Sequence, residues 1–244
     1  MKYEYSKEIV LPYSEMDSTA HLSLMSALNY VQNMTTEYFE KMGTDNFTVK
    51  TKSNALWVIT KTKIKINQRP IWKDKIWIHV NAVKLSAIRF DVEICFKDVD
   101  GKILMIVKQD YCAIDVDSRR VRKIATISFP SDLELENENY HDEYKKLKDE
   151  FEVSNFEYSQ KICSPDIDFS QHTNNVAYVR FLMNTFSCEF LSSHEINDFE
   201  IHYISESREG QILEIYKKNK SDKEIEFLIK ESGREIARAY MTLK

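Results

Sequence analysis

Ten consecutive residues, Asp166 to Asn175 (DIDFSQHTNN), bring two aspartates, a serine, a histidine and two asparagines together just before an apolar helical stretch. A carboxylate such as Asp168 can orient or activate water, and an imidazole such as His172 can move a proton near neutral pH. A helix opening at Asn175 would present free N–H groups and the positive end of its dipole to a carbonyl oxygen gaining charge. The same residue types are also common helix caps, because their side chains accept hydrogen bonds from the first N–H groups of a helix. On its own the string therefore reads either as a capping segment or as a site for carbonyl chemistry.

The surrounding elements narrow this. Val176, Val179, Met183, Phe186 and Phe190 lie on one stripe, which predicts a helix from Asn175 to about Phe190. A strand is expected before it, at Phe156 to Ile162, and strands after it at 198–206, 211–218, 223–230 and 234–243. The first half follows the same plan. A strand at Tyr3 to Tyr13 precedes a helix from Ser23 to Met42, with Leu24, Ala27, Leu28, Val31, Thr35, Tyr38 and Met42 on one face and Gly43 as its stop. About four antiparallel strands follow between Leu56 and Asp115, with Phe90, Val92, Ile94 and Phe96 alternating with Asp91, Glu93 and Cys95. Asp17 and His21 precede the first helix with the spacing that Asp168 and His172 show before the second. The chain thus reads as two copies of one α+β unit, a long helix packed on an antiparallel sheet. Between them, residues 131–150 are charged, lack a core pattern and read as a linker or an exposed helix.

Composition removes several function classes. The 244 residues carry 34 basic and 39 acidic side chains, a net charge of −5, which does not favour a nucleic-acid binder. The four glycines are too scattered for a dinucleotide loop, a P-loop or a nucleophile elbow. No apolar run is long enough to span a membrane, and no signal peptide is visible. Four dispersed cysteines without a CxxC pair suit reduced thiols, so the expected setting is cytoplasmic.

Longer stretches resemble the acyl-acyl carrier protein thioesterases of bacteria and plant plastids. The resemblance rests on DIDFSQHTNNVAYVRF (166–181) and FEIHYISES (199–207), and in the first half on MDSTAHLSLMSALNYVQN (16–33), LWVITKTKIKINQRPIWKDKI (56–76) and AIDVDSRRVRKI (113–124). It implies two tandem hotdog domains, at 1–130 and 153–244, joined by a charged linker at 131–152. The first domain would shape the acyl groove, and the second would hydrolyse fatty acyl thioesters of acyl carrier protein. Carried over by position, the catalytic aspartate, histidine and glutamate fall on Asp168, His172 and Glu206. Ser170 stands where the family has asparagine, and Ser207 where plant members have cysteine, which removes a cysteine nucleophile there. Water would then attack, with Asp168 or Glu206 as base, and the helix start at Asn174 and Asn175 would bind the carbonyl oxygen. The resemblance implies no metal and no organic cofactor, and either a monomer or a homodimer. Two alternatives stay open: a hotdog thioesterase acting on acyl-CoA, and a non-catalytic acyl-carrier or lipid-binding module.

Lys61, Lys63 and Lys65 alternate on one strand within a basic stretch of an acidic chain. They read either as a solvated face or as a dock for an acidic carrier protein. Asp17 and His21 read as a relic of duplication, and His79, His194 and His202 as ordinary strand or surface histidines.

Overall fold

The computed structural model describes residues 2–244, and the chain divides into two compact units, 1–142 and 143–244. In the first unit, β1 (Tyr5–Val10), β3 (Lys75–Leu85), β4 (Phe90–Lys97), β5 (Ile103–Asp115) and β2 (Ala55–Ile66) are hydrogen-bonded in that order as an antiparallel sheet, and β6 (Val121–Arg122) pairs with β5. Helix α1 (Leu24–Lys41) packs on it. The Ser23 hydroxyl caps α1 by accepting the Ser26 N–H at 3.0 Å, and Gly43 follows its end at φ 66°, a left-handed conformation that glycine takes without strain. The α1 face read from the sequence is buried. Its Phe39 ring sits 5.0 Å from Tyr111, 5.6 Å from Phe90 and 5.7 Å from Trp57, an aromatic cluster joining helix to sheet.

Two features of this unit differ from the sequence reading. A short helix α2, Asn46–Ser53, follows α1. Its polar sequence buries only Val49 and shows no apolar stripe; Asp45 starts it by accepting the N–H groups of Phe47 and Thr48 at 2.9 and 3.0 Å. Strand β4 is buried on both faces, not one. The second face, bearing Asp91, Glu93 and Cys95, is covered by residues 134–140. That segment is neither helix nor free linker. Glu93, fully buried, accepts the N–H groups of Asn139 and Tyr140 at 2.9 and 2.8 Å and the Asn139 side-chain amide at 2.6 Å. Tyr140 packs against Cys95 and Ile106, and Lys108 pairs with Glu138.

In the second unit, β8 (Ile196–Tyr203), β11 (Arg234–Leu243), β10 (Glu224–Glu231), β9 (Ile212–Ser221) and β7 (Phe156–Lys161) form an antiparallel sheet in that order. The helix expected from Asn175 to Phe190 is broken into α3 (Asn175–Met183) and α4 (Cys188–Ser193). The Ser187 hydroxyl accepts the Phe190 N–H at 3.1 Å, starting a new helix where the old one would have continued. The Tyr158 hydroxyl donates to the Phe181 carbonyl at 2.7 Å and Lys217 to the Thr185 carbonyl at 2.8 Å, satisfying groups freed by the break. Buried Glu200 accepts the N–H of Lys145 and the His202 Nε2, each at 2.7 Å, so the entry to this unit is also held by an inward-facing carboxylate.

Burial pushes the Asp91 carboxyl up to about 6, and Asp110, opposite it on β5, adds to the effect against the pull of Lys108. The native chain therefore binds this proton up to a higher pH than the unfolded chain, whose aspartates titrate near about 4. Stability contributed by this site falls as pH rises between about 4 and 6. Asp91→Asn is expected to raise the melting temperature relative to wild type above pH 6 and to leave it unchanged near pH 3.5, as checked by thermal unfolding across pH.

Candidate active site

The segment before each helix folds into the same loop. In the second unit, the Asp168 N–H donates to the His172 carbonyl at 2.9 Å and Gln171 N–H to the Asp168 carbonyl at 3.0 Å. Asp168 Oδ1 accepts the N–H groups of Ser170 and His172 at 2.8 and 3.4 Å. In the first unit, the bonds from Asp17 to the His21 carbonyl and from Ala20 to the Asp17 carbonyl are 2.8 and 3.0 Å, and Asp17 Oδ1 accepts from Thr19 and His21 at 2.9 and 3.3 Å. Gln171 and Ala20 take the same left-handed conformation, at φ 64° and 60°. A small bridge closes each loop, Ile167 with Thr173 and Met16 with Leu22. The aspartates are thus loop formers in both units. Asn174 is the cap of α3, its side-chain oxygen accepting the Val176 N–H at 2.8 Å, and Asn175 is the first helical residue, whose N–H has no carbonyl one turn earlier to bond.

Each loop is tied to a second segment, and there the units part. The Thr173 N–H donates to the Ser207 carbonyl at 2.9 Å, and the Leu22 N–H to the Pro70 carbonyl at 2.8 Å. Glu206 and Arg69, one residue earlier, therefore occupy corresponding places. Arg69 pairs with Asp17 and donates to the Thr19 hydroxyl at 3.2 Å, filling the first loop with a salt bridge. Burial works against the Asp17 charge, but the Thr19 hydroxyl and Arg69 outweigh it and hold the carboxyl below its usual range. Glu206 turns instead to the histidine: its Oε2 lies 3.1 Å from His172 Nε2, with the imidazole 18% and the carboxylate 42% exposed. Among the described residues, the loop of the second unit brings a half-buried imidazole and a carboxylate open to solvent together beside a helix N-terminus, and the loop of the first unit does not.

The structure therefore brings His172 and Glu206 into contact, and gathers Asp168, Ser170, Asn174 and Asn175 into the loop and helix start beside them. Ser170 enters through its backbone N–H. Asp166, in the same polar string, is buried, paired with Arg180 and bonded to the Cys163 N–H at 2.8 Å, so its part is structural. Ser207 is fully buried, with its Oγ 2.8 Å from Thr173 Oγ1 and 2.7 Å from the Tyr178 hydroxyl. Burial pushes the Tyr178 phenol above its usual value, though its bonds to Ser207 and Thr173 pull the other way. Sequence reasoning passed over Thr173 and Tyr178; the signal was that the corresponding first-unit residues, Leu22 and Ala27, have no hydroxyl. Lys61, Lys63 and Lys65 lie on β2 in the first unit. Lys63 is buried with its Nζ 5.2 Å from the Tyr140 ring centre, and Lys65 lies 3.9 Å from Asp142, so this row is partly covered and not a bare basic face. Among the described residues, no group of three or more His, Cys, Asp and Glu side chains is placed to hold a metal ion.

Both halves of the sequence match the domains of a known family. The acyl-ACP thioesterase N-terminal domain profile matches residues 2–127, and the C-terminal domain profile residues 145–244. The chain belongs to the acyl-ACP thioesterase family. It is 22% identical over 231 residues to oleoyl-acyl carrier protein thioesterase 1 of Arabidopsis thaliana, covering 86% of this chain and 62% of that protein. It is 24% identical over 211 residues to dodecanoyl-[acyl-carrier-protein] hydrolase of Cinnamomum camphora, covering 79% and 53%. The chain thus spans only part of the length of these relatives. Its fold is that of the acyl-ACP thioesterase from Bacteroides thetaiotaomicron (TM-score 0.86, 17% identity, 99% and 98% of the two chains) and the 12:0-ACP thioesterase from Umbellularia californica (0.84, 19%, 99% and 97%).

Because Asp168 Oδ1 accepts two backbone N–H groups, Asp168→Ala removes a loop former as well as a carboxylate. It is expected to cost about 1–2 kcal/mol, from two hydrogen bonds of about 1 kcal/mol each. Amide exchange at Ser170 and His172 should accelerate. Asp168→Asn keeps an acceptor oxygen and is expected to retain that protection, as hydrogen-exchange measurements on the two variants will check.

Proposed function

We propose that the protein hydrolyses fatty acyl thioesters of acyl carrier protein, releasing free fatty acid, with the chemistry in the second unit. The observation that carries this reading is the contact of His172 with Glu206 beside the Asp168 loop and the start of α3. Family membership, and the activities for which the Arabidopsis and Cinnamomum relatives are named, support the substrate class. Both units are read as hotdog domains, the first shaping the acyl groove; an antiparallel sheet in each, with the long helix α1 in the first unit and the shorter α3 and α4 in the second, supports this. Acyl carrier protein is the proposed partner. Of the lysine row, Lys61 and Lys65 are the more exposed, so any docking role in that row falls to these two. The four free cysteines agree with a reducing, cytosolic setting.

In the proposed reaction, a water held between Asp168 and Glu206 loses a proton to a carboxylate as its oxygen attacks the thioester carbonyl carbon. The carbonyl oxygen takes the negative charge next to the Asn175 N–H, where the helix dipole favours it. Collapse of the tetrahedral intermediate breaks the C–S bond, and the thiolate of the phosphopantetheine arm takes a proton from His172, which Glu206 orients; the proton that the carboxylate took from water then passes to His172, restoring both groups. Ser207, without exposed surface, is not the nucleophile in this scheme.

Free-acid release from C4 to C18 acyl carrier proteins tests the reading. Wild type is expected to release acid from part of the panel. His172→Ala and Glu206→Gln, with melting temperatures near wild type, are expected to lose about 10²–10⁴-fold in kcat, the usual contribution of a positioned acid or base. Equal or faster release from acyl-CoA of the same chain would transfer the activity to the coenzyme A ester. No release from either donor, with carrier binding intact, would make the protein a binding module.

A further inference from the structure

The two loops form a natural comparison, because their backbones match while their side chains do not. In both units a backbone N–H just before the helix donates to the carbonyl of the second segment, at 2.9 Å for Thr173 to Ser207 and 2.8 Å for Leu22 to Pro70. The first unit supplements that bond with a bridge between His21 and Ile71 and with the Arg69 salt bridge to Asp17, and uses no hydroxyl between Leu22 and Pro70. The second unit adds three hydroxyls to the bond. Thr173 Oγ1 donates to the Ser207 carbonyl at 3.1 Å, Ser207 Oγ lies 2.8 Å from Thr173 Oγ1, and the Tyr178 hydroxyl lies 2.7 Å from Ser207 Oγ. With Thr173 donating to the carbonyl, a run from Tyr178 to Ser207 to Thr173 uses every hydroxyl proton. All three residues are buried, at 3%, 0% and 5% exposure. The equivalents in the first unit, Ala27, Pro70 and Leu22, carry no hydroxyl, and there the histidine's carboxylate partner is replaced by Arg69.

The chain places Thr173 next to His172 and Ser207 next to Glu206. Bonds between Thr173 and Ser207 therefore set the separation of the two neighbouring side chains, which meet at 3.1 Å. The Glu206 carboxylate is 42% exposed, so burial alone does not fix its rotamer. Arg234 holds the same stretch from the other side, donating to the Glu206 carbonyl at 3.2 Å. We propose that the hydroxyls of Thr173, Ser207 and Tyr178 are positioning groups that hold the Glu206 carboxylate against the His172 imidazole. Their effect on turnover rests on the reading of His172 and Glu206 as catalytic; their effect on the geometry does not.

The test uses Ser207→Ala, Tyr178→Phe and Ser207→Cys in the full chain. Ser207→Ala is expected to lower kcat about 10–100-fold, the scale of an ångström-sized misplacement, with KM within about twofold. Tyr178→Phe, which keeps the packed ring, is expected to act in the same direction. Ser207→Cys, which keeps a weak donor of similar size, is expected to recover most of the loss. In a Glu206→Gln background, Ser207→Ala should cost less than about twofold further, because groups acting through one carboxylate are not additive. Full additivity there, or a kcat loss that follows melting temperature across all variants, overturns the proposal. A second readout needs no activity: the ¹⁵N chemical shifts of the His172 imidazole should move in Ser207→Ala and Tyr178→Phe in the direction they move in Glu206→Gln. Unmoved shifts overturn the positioning role even in an active enzyme. Shifts that move together in a protein hydrolysing nothing would support the positioning role and reject the thioesterase reading instead.

Discussion

One backbone hydrogen bond sits at the centre of each unit: the amide just before the main helix donates to the carbonyl of a segment far along the chain, Thr173 to Ser207 and Leu22 to Pro70. It fixes where the helix begins relative to the segment that supplies the residue facing the loop. It is worth about 1 kcal/mol net, a modest amount. Its consequence is geometric, because it decides which side chain can reach the aspartate–histidine loop. Once that alignment is set, a single substitution at the preceding position changes what the loop can do. Arginine there neutralises Asp17 and closes the loop with a salt bridge, whereas glutamate leaves the aspartate alone and meets the imidazole.

The sheets rely on a second kind of constraint. Glu93 and Glu200 are buried acids whose oxygens accept backbone N–H groups from the stretch joining the two units, each within its own unit. A buried carboxylate is costly unless bonded, and backbone N–H groups with no sheet partner are costly in the same way. Each solves the other's problem. This explains how a predominantly charged and polar stretch lies against a sheet, with Tyr140 buried on Cys95 and Ile106.

Much of this was legible in the sequence. The 3.6-residue stripe of α1, the alternation of β3 and the matched aspartate–histidine spacings all correspond to observed elements. What escaped it has identifiable causes. The short helix α2 depends on the Asp45 cap and not on a stripe, and the break after Met183 comes from Ser187 competing for the backbone. The covered face of β4 escaped because Asp91 and Glu93 look solvated until a distant segment supplies the donors to Glu93. Glu206 emerged only through family resemblance, since one acid in a strand-end sequence carries no local signal. Its counterpart Arg69 was visible but could not be paired with Asp17 without the fold.

The charged stretch after the first sheet also bears on how chimeras of such proteins should be cut. A junction near residue 130, where the strand pattern stops, would separate β4 and β5 from residues 136–140. Glu93 would lose its three donors, and Lys108 would lose Glu138. A graft that exchanges the first unit between relatives must carry this stretch with the sheet it covers, and the natural seam lies after Asp142.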